Sequence, residues 1–335
     1  MSFFSKVPRE DAVNNLTAIS RTEIVEGYSI PAIIKNGGYH FIDLQIYRDG
    51  LVNCWEMVDL SLFRSKLDSR WVVTSIPNGD TISIFSLGNW IIDNGDWLYD
   101  KFSFYDYVYS LVKKLNPNLE NLYNCHGTTT KKIGNVNVSI FSEPNPKPYY
   151  TPDPNNIFSE KIGGENFNIF FRADDSKIYL ADLSIFKNGH VEIANLPRTQ
   201  FLDFSQIRIL IDEEKILSNI PANERIHIFG LGSFITTSGC GVDIESKYRE
   251  LLDQYNSLNG AISSLENCRQ VFAQYKENPT QELKEKLKRA YEAIPEHNRM
   301  FVGDMDTKDF EVRIAIYGNI VKDEWKERYG FDYPF

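Results

Sequence analysis

No run of apolar residues in this chain approaches the roughly 18 that a membrane-spanning helix needs, so the sequence offers no such span. Cysteine is scarce too. Cys54, Cys125, Cys240 and Cys268 are scattered, with no CxxC pair, so there is no disulfide framework to read and free thiols in a reducing compartment are expected. The histidines at 40, 126, 190, 227 and 297 show no metal-ligand spacing such as HExxH. The stretch Asn124-Cys125-His126-Gly127-Thr128-Thr129-Thr130-Lys131-Lys132 lacks the second glycine of a phosphate-binding loop. Its adjacent Cys and His diverge on an extended backbone and make no nucleophile–base pair, so it reads as a solvated loop. Positive charge is short as well. Against 46 Asp and Glu stand 36 Lys and Arg, a net charge of −10, which argues against nucleic acid and against an anionic membrane surface. Met1–Pro8 has no basic segment followed by an apolar one, so no signal peptide is expected and a cytoplasmic location is. Nothing implies a cofactor.

What the chain does have is aromatic and apolar mass, 13% and 42% of its 335 residues, enough for real cores and suited to β-rich packing. It also has a repeat. Ile76–Ile91 returns as Ile220–Ile235, with Ile, Pro, Ile, Ile, Phe, Leu, Gly and Ile in the same order and without a gap. Upstream, Asp43–Val52 matches Asp182–Val191. Two matches in the same order and at similar separation indicate a tandem duplication. Within the matched segments Asp43 and Asp182 are the ionisable side chains that agree. They read as carboxylates accepting backbone hydrogen bonds near a hairpin, or as a duplicated ligand site.

The fold class expected is α+β: two tandem copies of a small, mainly antiparallel β unit, each followed by a helix, with a C-terminal antiparallel helical hairpin of coiled-coil type. Residues 1–141 would form an N-terminal domain. It would begin with a helix over 8–20 and hold the first repeat, about 39–92, and a helix over 97–115 capped by Asp96. Leu98, Phe102, Tyr105, Tyr109, Val112 and Leu115 would be that helix's apolar stripe. Asp49-Gly50 and Asn188-Gly189 favour hairpin tips. Residues 142–157 are proline-rich and read as an extended linker, 158–241 hold the second repeat, and 242–335 hold the helical hairpin, a strand over 310–317 and an aromatic tail. In the last region Ile244, Tyr248, Leu251, Tyr255, Leu258, Ile262 and Leu265 step by 4 and 3, the seam of a coiled coil within one long helix over 243–277.

Two functions compete. The first is a non-catalytic protein-binding module or assembly subunit. It would engage a protein partner or a second copy through the helical arm, with Trp325 and Phe335 of the tail as further contacts. An acidic chain of this kind suits an inhibitor, an immunity protein or a subunit of a bacterial defence assembly. The second is a metal-dependent hydrolase in which Asp304, Asp306 and Asp309 hold the ion and His297 moves protons. The two separate on geometry, because an enzyme needs those side chains to converge.

Overall fold

A computed structural model describes residues 17–20, 25–123, 129–133, 135–140, 147–156 and 158–332. In chain order the first half runs β1 (Thr17–Ser20), β2 (Glu26–Lys35), β3 (Tyr39–Tyr47), β4 (Val52–Asn53), β5 (Met57–Val58), α1 (Leu60–Asp68), β6 (Val72–Val73), β7 (Thr81–Ile84), β8 (Gly88–Trp97) and α2 (Lys101–Leu115). A separate two-stranded hairpin follows, β9 (Thr129–Ile133) with β10 (Val136–Ile140). Then come β11 (Tyr149–Tyr150), β12 (Ile162–Arg172), β13 (Ile178–Phe186), β14 (His190–Ala194), β15 (Gln200–Asp203), α3 (Ile207–Asp212), β16 (Ile216–Leu217), β17 (Arg225–Ile228), β18 (Gly232–Gly241) and α4 (Ile244–Leu258). From β2 to α2 and from β12 to α4 the two series correspond element by element. The last helix of each is 15 residues long.

The chain divides into two compact units, Met1–Gly241 and Val242–Phe335. In the first, sixteen of the described strands form one sheet whose main path is β1-β2-β3-β7-β8-β18-β17-β13-β12-β11. The path reads the same from either end once copies are exchanged. A pseudo-twofold axis therefore passes between β8 and β18, which pair antiparallel. Within each copy one joint is parallel, β3 with β7 and β13 with β17, and the other main-path joints are antiparallel. The ends of the path, β1 and β11, come into contact, so the sheet curls round on itself. Helix α2 lies on β2 and β3.

The matched glycines have a steric reason at the central joint. Gly88 and Gly232 have φ of +145° and +154°. A Cβ on Gly88 would stand 2.2 Å from the Cys240 carbonyl oxygen, and one on Gly232 would stand 2.4 Å from that of Asp96. Each copy thus needs glycine where the other copy's backbone arrives. The hairpin tips behave likewise: Gly50 and Gly189 sit at φ +81° and +84°, the left-handed geometry such turns require.

Several sequence expectations are corrected here. Residues 17–20 form strand β1 instead of the end of a helix, while 8–16 lie outside the described residues. Helix α2 starts at Lys101 because β8 continues through Asp96 to Trp97. Its cap is Asp100, which accepts from the Phe102 and Ser103 N–H groups. Its buried stripe is Phe104, Tyr107, Val108, Leu111 and Val112, and Phe102 faces outward. Aromatic residues occur all round this helix, so periodicity alone selected the wrong face. In the segment read as a linker, 141–146 and 157 lie outside the described residues, but Tyr149–Tyr150 pair with Gly163 and Ile162 as a strand of the sheet.

The second unit contains α4, α5 (Ser264–Glu277), α6 (Gln281–Ala293), a 3₁₀ turn over Glu296–Phe301, α7 (Phe310–Tyr317) and α8 (Asn319–Tyr329). The single long helix expected over 243–277 is two helices. Asn259-Gly260 ends the first, with Gly260 at φ +93°, and Ser263 caps the second. The helical hairpin is α5 with α6, joined through Asn278-Pro279 and the Thr280 cap. Its core is Cys268, Val271, Leu287, Ala290, Tyr291 and Ile294. The strand expected over 310–317 is helix α7. Its alternating apolar residues serve two cores: Val312 and Ile316 join the hairpin core, while Phe310 and Ile314 pack with Val321 and Trp325. Residues four apart share a helix face, so two interleaved i, i+4 pairs imitate a strand's alternation.

Candidate functional site

The helical seam does not form a continuous surface. Leu251 is fully buried, and beside it on α4 Ser246, Lys247 and Glu250 are buried as well. Ile244, Tyr248, Tyr255 and Leu258 are half-buried, Ile262 is exposed in the break between helices, and Leu265 packs on the hairpin core. Trp325 is buried edge-on to Phe310, ring centroids 4.8 Å apart. Phe335 lies outside the described residues, as do Cys125 and His126. Leu251→Asp is therefore expected to unfold the second unit, costing about 2–5 kcal/mol, a result that circular dichroism and light scattering would separate from loss of an interface.

The four residues of the hydrolase reading are not brought to one centre. Asp304 turns back on its own loop, its Oδ1 accepting from the Asp306 and Thr307 N–H groups and from the Thr307 hydroxyl. These bonds hold its carboxyl below the usual range. Asp309 accepts the Tyr291 hydroxyl. His297 faces Glu250 instead. Among the described residues no group of three His, Cys, Asp or Glu side chains is placed to hold a metal ion. Millimolar Mg²⁺ or Mn²⁺ is accordingly expected to leave the melting temperature of the protein and of its Asp304→Asn/Asp306→Asn variant unchanged, since a specific ion would raise it by mass action.

What His297 does join is a buried ionic network. Lys247 Nζ donates to Glu250 Oε2 at 2.8 Å, and Asn298 Nδ2 donates to Glu250 Oε1 at 3.0 Å. His297 Nε2 lies 3.1 Å from Glu250 Oε2 without the alignment of a hydrogen bond. Burial by itself would raise the Glu250 carboxyl. The contact from His297, the Lys247 charge and the two donated bonds outweigh it and hold the group at about 2. Burial pulls the Lys247 ammonium below its usual range, against the attraction of Glu250. The network fastens α4 to the 3₁₀ turn.

The two matched aspartates meet. In each copy the residue lies on the sheet face opposite the large aliphatic positions, Leu44 and Ile46 in one copy, Leu183 and Ile185 in the other. The curl of the sheet turns these faces toward each other, and a side-chain hydrogen bond joins Asp43 to Asp182. A residue that touches its own symmetry mate lies on the axis, so the pair marks the pseudo-twofold inside the sheet. Neighbouring positions are polar too: Gln45 accepts from Asn53 Nδ2 at 2.9 Å, and Asp182 Oδ2 accepts from Asn195 Nδ2 at 2.8 Å. Burial raises both carboxyls of the pair, and at Asp182 the Asp43 charge adds to it. The repeat identified these residues, but nothing local showed that they would face each other.

A second feature is a groove of about 560 Å³ in the second copy, lined by β15, α3 and the end of β12. Phe171, Leu196, Phe201, Ile209 and Leu210 line it together with Asp174, Asp175, Arg198, Glu213 and Lys215. Among the described strands β15 pairs only with β14, so no described strand takes its other edge. Phe201 and Ile209 are 64% and 55% exposed. The first copy has no counterpart of this length, since β5 there is two residues long. Sequence reading missed the groove because β15 carries neither strong alternation nor a turn dipeptide.

A family model described as a domain of unknown function (DUF7638) matches residues 16–119 and 152–262, and a second, also a domain of unknown function (DUF7639), matches 263–328. The two segments of the first match end just beyond α2 and α4, the helices that close the two copies. No curated protein and no solved structure matches the chain.

Proposed function

We propose that this chain, which belongs to the DUF7638 family, is a non-catalytic protein-binding module whose partner lays an extended segment along the edge of β15 away from β14. The observation that carries the reading is the coincidence of a strand edge that no described strand pairs, two exposed large apolar side chains and an adjoining groove. Backbone groups of an edge strand bond to any extended chain, and pockets beside it select the side chains. The groove's carboxylates, Asp174, Asp175 and Glu213, outnumber its cations, Arg198 and Lys215. The whole chain is acidic at −10. Both favour a partner segment with an apolar anchor flanked by basic residues. Such a role fits an inhibitor or an assembly subunit, and the helical unit would then present or stiffen the module instead of gripping the partner itself.

The test is affinity capture of the partner from the native cell with the full chain, repeated with Phe201→Lys and Ile209→Asp. Both side chains are exposed, so both variants should melt like the parent. Binding of the identified partner should weaken at least tenfold, about 1.4 kcal/mol. Undiminished binding by both variants would remove the groove from the interface.

A further inference from the structure

We propose that a single proton held between Asp43 and Asp182 clasps the two copies together, making the joint at the pseudo-twofold axis responsive to pH. The geometry comes first. Two carboxyls in hydrogen-bond contact need a proton between them, because a carboxylate has no hydrogen to donate. Asp182 is 2% exposed and already accepts from Asn195 through Oδ2, so its other oxygen carries the proton toward Asp43. Asp43 Oδ1 is buried without a hydrogen-bond partner, which makes the Asp43 carboxylate costly and the shared proton harder to remove.

Among the described residues no cation acts on the pair to replace that proton. On the paired strands Asp43 lies opposite Pro31, and Asp182 lies opposite Asn168 on one side and Ala194 on the other. The charged group that acts on the pair is Glu192, itself pushed up by burial, and a further negative charge only strengthens the hold. The unfolded chain sheds both protons near pH 4, whereas the folded chain keeps them to higher pH. Above pH 4 the fold therefore binds more protons than the unfolded state. Its stability falls as pH rises through the folded values of the pair.

Asp182→Asn is the informative variant. Its amide oxygen can accept from Asn195 and its amide nitrogen can donate to Asp43, so both bonds survive with no proton to lose. Unfolding of the full chain should be followed by denaturant titration from pH 6 to 9. In the parent the unfolding equilibrium constant should rise by up to about tenfold per pH unit from this pair. In Asp182→Asn that rise should disappear, and the variant should be the more stable protein at the alkaline end. Parallel pH profiles for the two proteins would overturn the proposal. The parent alone supplies a second measurement. Its infrared spectrum at pH 7.5 should contain the C=O band of a protonated carboxylic acid, lost only where alkaline destabilisation sets in. A spectrum showing only carboxylate at that pH would overturn it equally.

Discussion

Replacing Trp90 by alanine should cost the protein about 3–5 kcal/mol, the range for removing a fully buried large aromatic side chain. Trp90 is 0% exposed, belongs to the first copy, and reaches into the second. Its ring meets Phe170 edge-on at 4.9 Å. It stands opposite Gly239 of β18, where a Cβ would come within 2.0 Å of the indole. The axis repeats the arrangement: Phe234 of the second copy stands opposite Gly95 of the first. The loss should therefore separate the copies and not just soften one of them. Trp90→Phe should cost much less. It keeps an aromatic ring on Phe170 and removes an indole N–H that is buried without a hydrogen-bond partner. Gly239→Val should be as damaging as Trp90→Ala, from the opposite cause, since the indole has nowhere to retreat. Denaturant midpoints of the three variants check the order. A Trp90→Ala variant within about 1 kcal/mol of the parent would show that the β8–β18 joint does not hold the copies together.

Lys247→Met should cost the helical unit about 3–5 kcal/mol, because it leaves a buried carboxylate without its ammonium. The side chains of Lys247 and Glu250 are 1% and 9% exposed. A buried pair of this kind contributes little compared with an apolar pair of the same volume, yet breaking it from one side is expensive. The double variant Lys247→Met/Glu250→Leu should thus recover much of the loss, with the remainder reporting what His297 and Asn298 forfeit. The pair also predicts an acid limb. The folded Glu250 carboxyl, at about 2, lies below its unfolded value. Its contribution is complete above the ordinary carboxylate range and is lost as pH falls through that range toward 2. In Lys247→Met the loss should begin at higher pH. Acid unfolding curves of the parent and the two variants would show it, and identical acid midpoints for parent and Lys247→Met would refute it.

Several places where this chain must turn or break were legible without a structure. Asp49-Gly50, Asn188-Gly189 and Asn278-Pro279 act through backbone sterics that a residue carries with it wherever it goes, whereas the break at Asn259-Gly260 was hidden by the apolar seam that runs across it. The duplication was legible for the same reason: Gly88 and Gly232 recur because the same backbone clash recurs in both copies. By itself, then, the sequence determined two copies of one β unit, their hairpin tips, their closing helices and the α5–α6 hairpin. The tertiary structure decided what each face would touch. It turned α2 onto Phe104, Tyr107, Val108, Leu111 and Val112, and it divided the alternation of α7 between two cores. Leu251 went into the interior, and His297 was given to Glu250 rather than to Asp304. It also carried Asp43 to Asp182 across 139 residues of chain. A side chain's neighbours along the chain set its backbone preferences, but its burial and protonation depend on residues that only the curl of the sheet and the packing of the helices bring near.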